Sequence, residues 1–235
     1  SSSLLIFEEL LIVQYDHGES AFVAAFDLQS GSQVWKTARE VYDTWSSPML
    51  VQFDSEWQLV INASPFAAAY DPRTGEELWR IEDILGEVAS SPGYSDGRVI
   101  IINQLMSILS VDAGSGEIEW ELYDDLPDSS SPLAYGGYVM IPTTFGGVTA
   151  VDIETGEVLW KEEFSEGFYA SPVLVDSRIY LLDREGTMRI FSAEGSYELL
   201  GSPSVGEGAD ATPAFAGGRI FIRGLEHLFC IGVGN

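Results

Sequence analysis

Asp152-Ile153-Glu154-Thr155-Gly156-Glu157-Val158-Leu159-Trp160 is the stretch on which the reading of this chain turns. It consists of an Asp, three residues ending in Ser or Thr, a Gly, and a Trp eight residues after the Asp. The same unit occurs three times earlier, as Asp27, Gly31 and Trp35, as Asp71, Gly75 and Trp79, and as Asp112, Gly116 and Trp120. Successive tryptophans lie 44, 41 and 40 residues apart. A second mark keeps phase with the first: Ser47-Pro48, Ser91-Pro92, Ser131-Pro132, Ser171-Pro172 and Thr212-Pro213, spaced 44, 40, 40 and 41 residues. Counting back 44 from Ser47 reaches Ser3. Six units therefore start near residues 3, 47, 91, 131, 171 and 212, the last of them incomplete, and residues 1–235 are expected to form one domain.

Each unit carries the pattern of short strands. In the third, a brief run after Ser91-Pro92 meets a turn at Ser95-Asp96-Gly97, followed by Arg98–Ile102, a polar break, Ile108–Asp112, the Asp/Gly turn and Ile118-Glu119-Trp120. Four β-rich runs separated by Gly, Asp, Asn and Ser, with no helical stripe, predict an all-β chain of four-stranded antiparallel blades, a β-propeller. The motif residues suit such a blade. Asp can accept from backbone N–H groups two and three residues on, and Gly can take a positive φ that strains any other residue. Trp offers a broad surface to wedge against the neighbouring blade, so the recurring Asp, Gly and Trp are read as structural, not as a ligand platform.

Composition sets outer limits. The chain has 37 acidic and 11 basic residues, a formal net charge of −26. That charge repels nucleic acid and anionic membranes. Aliphatic runs such as Val99-Ile100-Ile101-Ile102 fall far short of the roughly 20 residues of a spanning helix. The lone Cys230 excludes a disulfide framework, a Cys-rich zinc site and a CxxC pair. The first residues, Ser1-Ser2-Ser3-Leu4-Leu5-Ile6-Phe7-Glu8-Glu9, lack a basic n-region and are not a signal peptide, so a signal has been removed or the chain starts partway through a longer one.

Asp-x-x-[Ser/Thr]-Gly followed by Trp, alternating with a Ser-Pro strand start, resembles the repeat of the pyrroloquinoline-quinone-like propeller family. The resemblance spans the whole chain and implies an indole girdle between blades. It also implies an exported protein, periplasmic or extracellular. Family members are mostly non-catalytic, which implies a binding or scaffold module for a protein or glycan of the envelope. The alternative the family offers is the C-terminal part of a quinoprotein dehydrogenase whose cofactor ligands lie elsewhere. In those enzymes the quinone sits between a Trp face and a Cys-Cys disulfide, which a single cysteine cannot build, so no cofactor is expected. Two departures stand out. The fifth unit, Phe191-Ser192-Ala193-Glu194-Gly195-Ser196-Tyr197-Glu198-Leu199-Leu200, has Ser for Asp and Leu200 where Trp is expected. The sixth stops after its third strand near Cys230-Ile231, so the chain is either blades three to eight of an eight-bladed ring or a six-unit chain with a three-stranded last blade.

Remaining motifs are read as structural. Gly93-Tyr94-Ser95-Asp96-Gly97 fits a nucleophile elbow but falls where other units have a hairpin, and Gly206-Glu207-Gly208 precedes a strand instead of opening a helix. Asn62-Ala63-Ser64 is a glycosylation sequon by pattern alone, and Asp124-Asp125-Leu126-Pro127-Asp128 is a solvated loop without calcium-loop order. His17 and His227 show no metal spacing, and His227 is expected on a rim or in packing. The candidate contact residues are those two places before each Ser/Thr-Pro start, which should ring a channel mouth: Trp45, Ala89, Ser129, Tyr169 and Asp210. Trp45, Tyr169 and Asp210 form the candidate patch; the competing reading is that both aromatics simply fill the channel entrance.

Overall fold

A computed structural model describes residues 2–103 and 106–232. The chain forms two compact units, Ser1–Leu126 and Pro127–Asn235. The first holds three blades. They are Leu5–Phe7, Leu10–Tyr15, Phe22–Asp27 and Gln33–Ala38 (β1–β4); Met49–Phe53, Glu56–Ile61, Ala67–Tyr70 and Glu77–Ile81 (β5–β8); and Gly93–Ser95, Arg98–Asn103, Ser107–Asp112 and Ile118–Leu122 (β9–β12). The second holds Leu133–Tyr135, Tyr138–Pro142, Gly147–Asp152 and Val158–Glu163 (β13–β16); Val173–Val175, Arg178–Leu182, Met188–Ser192 and Leu199–Gly201 (β17–β20); and Ala214–Ala216, Arg219–Arg223 and Leu228–Gly232 (β21–β23). Every sheet is a sequential antiparallel meander; five are four-stranded and the last has three strands. Among the described residues no helix is long and apolar enough to cross a membrane.

The core lies in the seams between blades. One cluster joins Ile12, Val23, Ala25 and Trp35 of the first blade to Leu59, Ile61, Ala68 and Tyr70 of the second. The next joins Val60, Ala67, Ala69 and Trp79 of the second blade to Val99, Ile101, Leu109 and Val111 of the third. Side chains alternate across a strand, so β6 sends Leu59 and Ile61 one way and Val60 the other. Burial on both faces is why the inner strands read as unbroken apolar runs. In the second unit Met140, Val148 and Ala150 pack on Ile179, Leu181 and Phe191 in the same manner.

The Asp/Gly turn closes as the sequence predicts. Asp112 Oδ1 accepts the amides of Gly114 and Ser115 at 3.1 and 2.8 Å and the Ser115 hydroxyl at 2.9 Å; Ser115 Oγ in turn accepts the Glu117 amide at 3.2 Å. Asp152 and Thr155 repeat this arrangement, and Asp71 holds the Arg73 and Thr74 amides. Gly31, Gly75, Gly116 and Gly156 have φ of 69, 73, 73 and 72°. A second reason for glycine emerges from the seams. A Cβ on Gly75 would stand 2.4 Å from the Trp35 ring, and one on Gly116 2.6 Å from Trp79 Cβ. The turns at Gly75 and Gly116 are thus the floors on which the preceding blade's indole lies. The indoles also donate into these turns: Trp35 Nε1 to Pro72 O at 3.1 Å, Trp79 Nε1 to Ala113 O at 3.0 Å, and Trp160 Nε1 to Gly195 O at 3.0 Å.

Strand register makes room for the indole. Trp35, Trp79, Trp120 and Trp160 sit opposite Ala25, Ala69, Ser110 and Ala150, each beside a β-bulge. The fifth blade corrects the sequence reading. Its turn holds one more residue, so Phe191 pairs with Leu199 and Ile190 with Gly201. Gly201 therefore occupies the Trp position, and Leu200 is the exposed bulge residue, the counterpart of Leu159. A small residue facing a large one has become a large residue facing a small one.

The Ser-Pro mark also acquires a role. Ser3 N donates to Ser47 Oγ, Ser47 N to Ser91 Oγ, Ser131 N to Ser171 Oγ and Ser171 N to Thr212 Oγ1, each at 2.9 Å. The hydroxyl at one blade's start thus satisfies the amide at the start of the blade before it. At the hairpin between first and second strand of the later blades, Asp96 and Gly97 both have positive φ, as do Asp54 and Ser55, Gly136 and Gly137, Asp176 and Ser177, and Gly217 and Gly218. Two positive-φ residues make the tight turn suited to strand twist, which settles Gly93–Gly97 as a hairpin.

Candidate functional site

In the first unit Trp45 lies on the segment running from β4 to β5. Three hydrogen bonds fix that segment: Tyr42 N to Ser64 O at 2.7 Å, Thr44 Oγ1 to Val88 O at 2.8 Å and Trp45 N to Val88 O at 2.9 Å. The backbone is thereby held while two aromatic side chains face solvent, Tyr42 at 70% exposure and Trp45 at 49%. Trp45 borders two cavities. One, of about 810 Å³, is lined by Val41, Tyr42, Asp43, Leu85 and Glu87 among others; the second, of about 510 Å³, by Leu4, Gln14, Tyr15, Asp16, His17 and Asp43 among others. Exposed Tyr42, Trp45 and Leu85 with a rim of Asp43 and Glu87 make an apolar patch edged by acid.

Beneath the second cavity lies an ion pair that sequence reasoning missed. Arg39 Nε stands 3.0 Å from Asp16 Oδ1, and both side chains are fully buried. Arg39 Nη1 donates to the Tyr70 hydroxyl at 2.6 Å and Gln14 Nε2 to Asp16 Oδ2 at 2.8 Å. Burial pushes the Asp16 carboxyl up, against the pull of Arg39. No local motif announces the pair, because its members are 23 residues apart and meet only through sheet packing.

Both histidines find carboxylates. His17 Nδ1 lies 2.9 Å from Asp43 Oδ2, while Asp43 Oδ1 accepts the Gly18 amide at 2.9 Å. The Gly18 amide first, and His17 second, hold the Asp43 carboxyl below its ordinary range. His227 Nδ1 lies 2.8 Å from Glu207 Oε2, and Glu207 Oε1 accepts the amides of Glu226 and His227 at 3.2 and 2.8 Å. Ligand atoms of Glu207, Glu226 and His227 fall within 4.8 Å of one another, a grouping the sequence spacing did not reveal. Both Glu207 oxygens are already bonded and its side chain is only 17% exposed, so the arrangement serves as a clasp on the loop from β22 to β23. The sequon Asn62-Ala63-Ser64 is buried, with Asn62 Nδ2 donating to Ile102 O at 2.9 Å.

In the second unit the structure joins two of the candidate residues through a third. The Arg184 guanidinium lies 4.1 Å from the Tyr169 ring centroid, and its Nε stands 3.2 Å from Asp210 Oδ1. Asp210 is therefore no bare acid beside an aromatic, as the sequence suggests, but the anchor of a cation stacked on that ring. Arg184 belongs to the tight turn between β18 and β19 and has no repeat mark to flag it. Ala89 is half-buried and Ser129 exposed.

The resemblance to quinoprotein enzymes implies, for a bound quinone, a Trp face opposite two adjacent cysteines. Cys230 is exposed on β23 and is the only cysteine in the sequence, and Trp35, Trp79 and Trp160 lie in blade seams with their N–H groups bonded. The residues present do not fit that group.

Comparison with known proteins agrees with the geometry. The family described as "Outer membrane protein assembly factor BamB" matches residues 19–173 and 128–223. The curated outer membrane protein assembly factor BamB of Yersinia pestis is 28% identical over 121 residues, 45% of this chain and 31% of that protein. A lanthanide-dependent methanol dehydrogenase of Methylacidiphilum fumariolicum (strain SolV) is 34% identical over 68 residues, 28% of this chain and 11% of that enzyme. The chain thus matches about a third or less of the length of these curated relatives. Among solved structures, BamB from Moraxella catarrhalis superposes with a TM-score of 0.76 at 18% identity, covering 98% of this chain and 69% of that one. The computationally designed Ika8 protein gives 0.78 at 15% identity, covering 99% and 70%. The fold is an all-β propeller of antiparallel blades, and the chain belongs to the BamB-like branch of the pyrroloquinoline-quinone-like repeat family.

Proposed function

We propose that this chain is a non-catalytic propeller module that binds a protein partner in the bacterial cell envelope, periplasmic or extracellular. The observation that carries the reading is the patch of Tyr42, Trp45 and Leu85, exposed on a backbone that hydrogen bonds hold in place. A rigid segment presenting uncovered aromatics edged by acids has the anatomy of a protein-docking surface. Tyr169, Arg184 and Asp210 offer the second unit a polar counterpart. The recurring Asp, Gly and Trp residues support blade seams, which leaves them to scaffold and not to chemistry. In this reading the six repeats act as one propeller domain, and a glycan is the lesser candidate partner.

Affinity capture from envelope extract, with the full-length protein as bait, tests the proposal. One defined protein should be retained by wild type and lost on Trp45→Ala or Tyr42→Ala, with the melting temperature of each variant unchanged. Retention by neither, or equally by all, would count against it. The likeness to a methanol dehydrogenase favours one second reading, a fragment of a quinoprotein dehydrogenase. Dye reduction on adding the quinone with Ca²⁺ or a lanthanide to full-length protein would establish that reading instead.

A further inference from the structure

The cavity of about 510 Å³ beside Trp45 has a chemistry of its own. Its lining residues include Tyr15, Trp45, Gln14 and Asp43, with Asp16 contributing no exposed side-chain surface. Among the described residues no Lys or Arg lines it. Tyr15 is held by stacking on Phe22, with centroids 5.2 Å apart, and by the edge of His17 at 6.1 Å. Gln14 is only 7% exposed; its Nε2 donates to Asp16, which fixes the amide, and its Oε1 finds no donor. Arg39 neutralises Asp16 from behind. Asp43 is bonded to His17 Nδ1 and to the Gly18 amide, and its side chain stays 51% exposed.

Two aromatic residues and a half-exposed carboxylate, in a lining that holds no Lys or Arg among the described residues, are complementary to one ligand class: an organic cation rich in N–H groups. A neutral sugar would use the rings and acceptors but gain nothing from the charge. The net charge of −26 attracts a cation to this surface from a distance. We propose that this cavity receives an arginine or lysine side chain of the protein partner, with Trp45 and Tyr15 as walls and Asp43 as counter-ion. The inference rests on the partner-binding reading above and specifies the residue by which that partner is anchored.

The test uses Nα-acetyl-arginine amide and its neutral isostere, Nα-acetyl-citrulline amide, titrated into full-length protein labelled on the indole nitrogens. The Trp45 indole resonance, identified with Trp45→Phe, should move with the arginine compound and remain still with citrulline. Asp43→Asn should weaken the arginine response at least about tenfold, a loss of about 1.4 kcal/mol. Tyr15→Leu should weaken it as well, with the other indole resonances in place as a check on folding. Equal responses to both compounds, a response to glucose but not to arginine, or no response would overturn the proposal. Partner capture that survives Asp43→Asn yet fails on Tyr42→Ala would refute the cation pocket while leaving the docking surface intact.

Discussion

At the scale of single residues, turn glycines do one or two jobs, which mutation can separate. Gly31 has a positive φ and open space within 4 Å of the point a Cβ would occupy, whereas Gly75 and Gly116 have a similar φ with an indole against them. Gly31→Ala should cost about 1–2 kcal/mol from backbone strain alone. Gly116→Ala should lose roughly 1–3 kcal/mol more, because the Trp79 ring must shift, and urea denaturation of the two variants measures the difference. The strain half of this was legible in the sequence; the contact half was not, since it belongs to a residue 37 positions away. The same limit hid Arg39 beneath Asp16. Arg39→Leu leaves a buried carboxylate without its cation and should destabilise by about 3–5 kcal/mol, read as a lower melting temperature. The turn aspartates set a pH dependence. The Ser30 hydroxyl holds the Asp27 carboxyl below its ordinary range, and the Ser115 amide does so for Asp112. A depressed carboxyl contributes stability that is complete above the unfolded value of about 3.9 and lost as pH falls through the lower folded value. Asp27→Asn should therefore flatten the acid limb of the stability curve, with little change in its slope at neutral pH.

At the scale of the blade, the Ser-Pro and Asp/Gly/Trp marks make the strand order legible in the sequence, because both recur where a strand begins or a hairpin closes. Misreading arose where one residue was added. Sequence alignment of the fifth unit places Leu200 under the Trp column, whereas the ladder places Gly201 there, opposite Ile190. Elsewhere that pair is a small residue facing Trp. A Trp at 201 would extend over the paired Ile190, as Trp does over a small residue in the other blades, which leads to a double-mutant prediction. Gly201→Trp alone should destabilise by overpacking, by about 1–3 kcal/mol. Adding Ile190→Ala should recover much of that loss, giving a coupling of about 0.5–3 kcal/mol; strict additivity in a thermal-unfolding cycle would contradict the space-sharing account.

At the scale of the molecule, the sequence made the fold plain and the site only half so. A repeat multiplies its own signal, and four concordant copies of one turn carried the propeller assignment. The candidate site has no copies. Trp45 is a candidate by its place in the repeat, and the structure sets it beside Tyr42 and two cavities. Tyr169 and Asp210 are also candidates by place, whereas the Arg184 that contacts both carries no mark in the sequence. If the six repeats form one domain, chemical unfolding followed at the indoles and by far-ultraviolet circular dichroism should give coincident transitions; two separated transitions would assign the two units to independent domains. The most direct test of the seam itself is hydrogen exchange at the indole nitrogens, observed by heteronuclear NMR. Trp35 and Trp79, buried and bonded to the next blade's turn, should retain their Nε1 protons far longer than exposed Trp45. Exchange at Trp35 and Trp79 as rapid as at Trp45 would show that the indoles do not pin one blade to the next.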